Sequence, residues 1–159
     1  MCKRAIKSVH FIRLQTHLYD RNPAMNNEKF KQMFSLGEKN DAYAQYFTGQ
    51  SYLAVLATGG DANVVNVTFE PGCRNHWHIH HGSHQILICT AGEGWYQEEG
   101  KSAQRMRPGD VVDIACDVKH WHGATSDSWF SHLSVSVPKE GSSNEWCEPV
   151  SDEEYARLQ

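Results

Sequence analysis

The sequence predicts an all-β chain folded as one jelly-roll barrel with short helices at its two ends, and three observations lead there. From Tyr52 onward the chain runs in short apolar stretches: Tyr52-Leu-Ala-Val-Leu56, Val64-Val-Asn-Val-Thr-Phe69, Gln85 to Thr90, Trp95-Tyr-Gln97 and Val111 to Ile114. Turn signals stand between them, at Gly59-Gly-Asp61, Glu70-Pro-Gly72 and Glu98-Glu-Gly-Lys101, which is the pattern of antiparallel strands in a sandwich or barrel. The same span holds no repeat, low-complexity tract or linker, so a single jelly roll is the economical architecture. A length of 159 residues suits one domain that buries its own core without disulfides or a structural metal.

Residues 1–25 read as a basic extension, in which Lys3, Arg4, Lys7, Arg13 and Arg21 face a single acid, Asp20. Its apolar residues are too interrupted for a signal-peptide core or a membrane span. Residues 26–49 are expected to hold a helix capped by Asn26 or Asn27, with Phe30, Met33 and Phe34 as an apolar stripe and an end near Gly37. The barrel fills residues 50–138. Past Pro138 the strands are expected to stop. In residues 139–159, Gly141-Ser-Ser-Asn144 reads as a surface loop and Trp146 folds back on the barrel. Ser151-Asp-Glu-Glu154 is a capping box opening a helix with Tyr155 and Leu158.

The last long strand, Ser128 to Val137, places Ser128, Phe130, His132, Ser134 and Ser136 on one face and Trp129, Ser131, Leu133, Val135 and Val137 on the other. A small polar face around a histidine suits the wall of a polar cavity. The apolar face then needs a cover, from a second sheet layer or another subunit, so a homodimer is expected.

Composition narrows the function. Charged residues at 21% and a net charge of -4 give neither a disordered chain nor the basic field a nucleic-acid binder needs, and no membrane partner is expected. The cysteines, Cys2, Cys73, Cys89, Cys116 and Cys147, are five in number. Odd in count and without a Cys-x-x-Cys pair, they read as free thiols in a reducing cytoplasm.

Chemistry concentrates from Gly72 to Gly92. In a strand His76, His78 and His80 project from one face, and a His-x-His pair can reach one zinc, iron, nickel or copper ion without distorting the backbone. Gln85 is the next candidate ligand, with His84 as its rival.

The spacing Gly72-x5-His78-x-His80-x4-Gln85-x6-Gly92 resembles the first motif of the cupin family, with Gln85 where most cupins carry glutamate. Gly109 to His120 is similar to the second motif, although Ala115 and Asp117 replace its usual proline and glycine. Phe69-Glu-Pro-Gly72, Thr90-Ala-Gly92, Pro108-Gly-Asp-Val-Val112, Lys119-His-Trp-His-Gly-Ala124 and His132 resemble small bacterial cupins that include manganese-dependent hydroxynitrile lyases, a subgroup that also carries the glutamine.

That resemblance implies a double-stranded β-helix barrel in which His78, His80, Gln85 and His120 bind one divalent ion, manganese first, with iron, nickel and zinc compatible. It implies a small-molecule substrate whose oxygen meets a Lewis acid, and His132 as the general base in cleaving a cyanohydrin to an aldehyde and cyanide. His122, His76, His84 and Phe130 are expected around the pocket. Dioxygenase, isomerase or decarboxylase chemistry fits the same residues, as does a module that binds a ligand or metal without turnover.

Overall fold

A computed structural model describes residues 30–158. The basic extension and the Asn26 or Asn27 cap lie outside the described residues. The strands are β1 (Glu38–Lys39), β2 (Phe47–Thr48), β3 (Ser51–Ala57), β4 (Asn63–Phe69), β5 (Arg74–Asn75), β6 (His78–Gly92), β7 (Gly94–Glu98), β8 (Gln104–Met106), β9 (Val111–Ile114), β10 (His120–Ala124) and β11 (Phe130–Trp146). They form one curled antiparallel sheet in the order β1-β3-β4-β11-β6-β10-β5-β2, with β7 and β8 continuing from β10 and β9 beside β6. The all-β expectation and the barrel are borne out, and among the described residues helical structure is limited to a 3-10 turn at Asp41–Tyr46 and α1 at Asp152–Ala156.

Period-2 alternation builds the interior. Cross-strand neighbours on β4, β11 and β6 stack as Asn63–Ser136–Gln85, then Val65–Ser134–Leu87, then Val67–His132–Cys89. Polarity therefore grades from hydrogen-bonding groups at one end to an apolar core at the other. That core closes around Phe69, Leu87, Tyr96, Met106, Ile114 and Phe130. Fully burying one such large side chain contributes about 1.5–3 kcal/mol, enough for these six to anchor the closed end while the opposite end stays open to a ligand.

A separate aromatic cluster, Trp77, Trp95 and Trp121 with Val150 and Tyr155, fixes the C-terminus to the outside of the barrel. The capping box is present: Ser151 accepts from the Glu154 amide and the Glu154 carboxylate accepts from the Ser151 amide. The buried Arg74 guanidinium donates to the Val150 carbonyl and lies 4.4 Å from the centre of the Tyr155 ring.

Two local expectations are corrected. The segment from Phe30 to Gly37 is not helical; it is a strap across the outer face of β4 and β11. Phe30 stacks on Trp129 at 5.6 Å between ring centroids, the Ser35 carbonyl accepts from Asn66, and the Gln32 side chain accepts from Thr68. The strap enters β1 through Gly37, whose φ of 80° and close approach to the Leu53 carbonyl, 1.9 Å from any added Cβ, leave room for glycine alone. Nor does the sheet end at Pro138. β11 runs on through Gly141–Asn144 to Trp146, pairing Ser143, Asn144, Glu145 and Trp146 with His81, His80, Ile79 and His78.

Trp129 is thus covered from within the chain, by Phe30 and by Tyr52. Further along the same outer face Val64, Val135 and Ile86 lie side by side across three strands, as do Leu133 and Ile88. All five are only partly buried, and Val111 beside Ile88 is 60% exposed.

Candidate metal centre

Four side chains from β6 and β10 converge inside the barrel. His78 and His80 point inward because they are two residues apart in β6, and His120 stands directly opposite His78 in the β10 pairing. A ligand atom from each of these histidines lies within 4.8 Å of the others. Gln85 joins them by a change of phase. Gly82 has φ 63° and stands opposite residues 139–142 of β11, so the alternation shifts by one. Even-numbered His78 and His80 then face the interior together with odd-numbered Gln85, while His84 turns outward to Asp113.

The hydrogen bonds prepare these groups for a cation. His78 Nδ1 donates to the His76 carbonyl at 2.9 Å, His120 Nδ1 to the Val118 carbonyl at 2.9 Å and His80 Nδ1 to Asn144 Oδ1 at 2.6 Å. With Nδ1 donating, each ring presents a bare Nε2, the arrangement in which metal-binding histidines are held. Gln85 Nε2 donates to Ser134 Oγ at 2.9 Å, which aims Gln85 Oε1 at His120 Nε2, 3.1 Å away. Two lone pairs facing each other at that distance are unfavourable alone. They suit one ion, since bonds of roughly 2.1 Å at right angles put neighbouring donors roughly 3 Å apart. His80 Nε2 is buried without a hydrogen-bond partner, which fits a place for a cation. The donor set fits a divalent metal. Burial pushes His120 down to about 4 and His78 well below the ordinary histidine value, so both are neutral, as ligation requires.

A cavity of about 360 Å3 opens beside these side chains. Its lining is apolar at Leu53, Val65 and Val67 and polar at Asn63, Ser134 and Ser136, and Trp146 packs against His78 at 5.0 Å between ring centroids. His122 also lines it. Asn75 holds His122 in place: Asn75 Oδ1 accepts from the His122 amide at 2.9 Å, and the Asn75 amide nitrogen lies 3.1 and 3.4 Å from the two ring nitrogens.

His132 sits one layer behind, fully buried, with Nε2 3.1 Å from His122 Nδ1 and its ring between Phe69 and Phe130. It is not on the cavity wall, and neither is Phe130, which belongs to the apolar core. His76 packs edge-on against Tyr46 and supplies its carbonyl to His78. His81, exposed, bridges Asp117 and Glu145, whose hydrogen bonds raise its pKa, Glu145 first.

Three residues that matter here carry no sequence signal of their own: Asn144 and Asn75, which hold imidazoles, and Asn40, which lines the cavity. Their roles depend on strand pairings that only the fold sets.

Four buried histidines make the fold acid-sensitive. Desolvation lowers His132 and His120 to about 4, and His78 and His122 well below their ordinary value. In the unfolded chain each titrates near ~6.5. Below that pH the unfolded state binds protons that the folded state refuses, so stability rises with pH across the window. The melting temperature of metal-free protein is expected to fall steeply as pH drops from roughly 6.5 towards about 4. A flat melting temperature there would show that these histidines are not buried and neutral.

The inward histidines on a jelly roll define a cupin, and sequence comparison agrees: the cupin domain matches residues 65–136. Over 117 residues the chain is 42% identical to an (R)-mandelonitrile lyase of Granulicella tundricola, an alignment covering 72% of this chain and 88% of that protein. The chain belongs to the cupin family. It is similar to the crystal structure of a cupin-like protein from Thermotoga maritima, at 40% identity and a TM-score of 0.74, over 80% of this chain and 96% of that one. A predicted oxalate decarboxylase from the same organism shares the fold at 20% identity and a TM-score of 0.60, over 69% of this chain and 98% of that one. Among the described residues no helix is long and apolar enough to cross a membrane.

Proposed function

We propose that this cupin is a metal-dependent lyase of the hydroxynitrile lyase type, cleaving the carbon–carbon bond of a cyanohydrin to give an aldehyde and cyanide, and running in reverse to make one. The observation that carries the proposal is the convergence of three bare imidazole nitrogens and the Gln85 carbonyl oxygen on one point beside a cavity. A divalent ion, manganese in our reading, supplies there a Lewis acid whose charge four neutral donors leave uncancelled. Iron, nickel and zinc suit the same donors.

The chain's own residues do the rest. His78, His80, Gln85 and His120 set where the substrate oxygen is held. Leu53, Val65 and Val67 exclude water from the carbon skeleton. The hydroxyl proton leaves along the His122–His132 pair as the carbon–carbon electron pair departs with cyanide, which then takes a proton to leave as hydrogen cyanide. The 42% identical relative named for mandelonitrile supports this reading.

The test is metal analysis of freshly purified protein by mass spectrometry, followed by an anaerobic screen of cyanohydrins, and of aldehydes with cyanide. Turnover without oxygen is expected. Turnover only with oxygen uptake would make the protein an oxygenase, and bound metal with no turnover across the panel would make it a binding module.

A homodimer in the cytoplasm completes the proposal. The partly buried Ile86, Ile88, Leu133 and Val135 offer the apolar face for a second copy, and the four free cysteines among the described residues suit a reducing compartment. Light scattering should report twice the chain mass. A monodisperse monomer at micromolar concentration would overturn the dimer.

A further inference from the structure

We infer that Ser134 donates a hydrogen bond to the substrate group beside the reacting oxygen, which in a cyanohydrin is the nitrile; this rests on the lyase reading above, with the reacting oxygen held at the His78–His80–Gln85–His120 cluster. Ser134 stands on β11 between Val65 of β4 and Leu87 of β6. Its hydroxyl faces the interior, where it meets the Gln85 side chain, and Ser134 lines the same cavity as His78 and His80. His132, two residues earlier on the same face, is fully buried, whereas Ser134 is half-buried and open to the cavity.

A serine hydroxyl carries one proton and two lone pairs. Gln85 Nε2 donates to Ser134 Oγ at 2.9 Å, which uses a lone pair and leaves the proton uncommitted. Among the described residues Ser134 has no other side-chain hydrogen bond. Gln85 Oε1 is turned towards His120, and the amide cannot swing round to take that proton without withdrawing its oxygen from the cluster. The Ser134 proton is therefore available to an acceptor in the cavity, next to the cluster. A cyanohydrin offers one there, because its oxygen and its nitrile sit on the same carbon. As the O–H proton passes to the His122–His132 pair, the oxygen's electrons form the carbonyl and the carbon–carbon pair departs on cyanide. A donor already aimed at the nitrile binds more strongly as that charge grows, which favours the transition state over the bound substrate. Ser134 keeps its proton throughout.

The test uses two unreactive ethers of one shape: 2-methoxy-2-phenylacetonitrile and its ethynyl counterpart, in which a carbon–carbon triple bond replaces the nitrile and removes the acceptor nitrogen. Neither has a hydroxyl proton to lose. In calorimetric titration of the protein at saturating manganese, the nitrile should bind roughly threefold to tenfold tighter than the alkyne, the worth of one hydrogen bond. Ser134→Ala should bind the two alike, and Ser134→Thr, which keeps a hydroxyl, should retain the preference. The infrared C≡N band of the bound nitrile should lie at higher wavenumber in the parent than in Ser134→Ala, as a hydrogen-bonded nitrile requires. Metal content and melting curves of each variant separate loss of the donor from loss of Gln85 support or of fold. The parent alone can overturn the inference: equal binding of nitrile and alkyne refutes it, as does a preference that survives Ser134→Ala. A nitrile preference in a protein that turns over no cyanohydrin would sink the lyase reading and leave the Ser134 donor standing, and turnover of cyanohydrins without the preference would do the reverse.

Discussion

Replacing His80 by alanine should strip the protein of most of its metal, measured by mass spectrometry of freshly purified protein and by competition with a chelator. In the proposed ligand set His80 is one of four donors, and its Nε2 is buried without a hydrogen-bond partner. Full occupancy in His80→Ala would rule out the assigned ligand set. The register is tested alongside it. Gln85→Ala should lower occupancy because Gln85 Oε1 faces His120, whereas His84→Ala should leave it intact because His84 points outward to Asp113. The opposite pattern would move the fourth ligand to His84. Asn144→Ala should cost roughly tenfold to a hundredfold in affinity, the usual effect of releasing the hydrogen bond that orients a ligating imidazole. His80 is the most informative of the three histidines for that comparison, since its acceptor is a side chain while His78 and His120 lean on backbone carbonyls.

These variants test both what the sequence displays and what it hides. The barrel is legible because alternation at period 2, broken by Gly and Pro turns, is a local property of the chain. His78 and His80 are legible for the same reason, and His120 through its motif spacing. The inward placement of Gln85 is harder to read, since uninterrupted alternation from His78 and His80 would carry His84 inward instead. Gly82 is the physical cause of the switch, and a lone glycine in a strand announces a bulge without saying which residues it redirects.

Asn144 escaped because Gly141-Ser-Ser-Asn144 has the composition of a loop. Pairing with His78–His81 overrides that local preference and makes it strand. Phe30, Met33 and Phe34 have helical spacing, but Trp129 and the polar groups of β4 and β11 hold the strap extended. Local periodicity carries no information about such distant partners.

Replacing His132 by alanine should leave metal content unchanged and lower turnover roughly a hundredfold or more, the scale of a positioned acid–base group. His132 reaches the cavity only through His122, so the two should act as one unit. His122→Ala should cost a similar factor, and the double variant little more than either single one. The alanine leaves a hole between Phe69 and Phe130, so His132→Gln, closer in size, separates loss of the proton carrier from loss of packing. The pH profile separates them again. A base must be neutral to accept a proton, and burial holds His132 at about 4. Activity of the parent should therefore persist well below the ordinary histidine value of ~6.5 and decline only as pH approaches about 4, a limb both His132 variants should lose. Turnover unchanged in either variant would reduce His132 to a hydrogen-bonded core residue. Loss of metal in both would make it a support of the centre instead, acting through His122, whose ring stands 5.6 Å from that of His78.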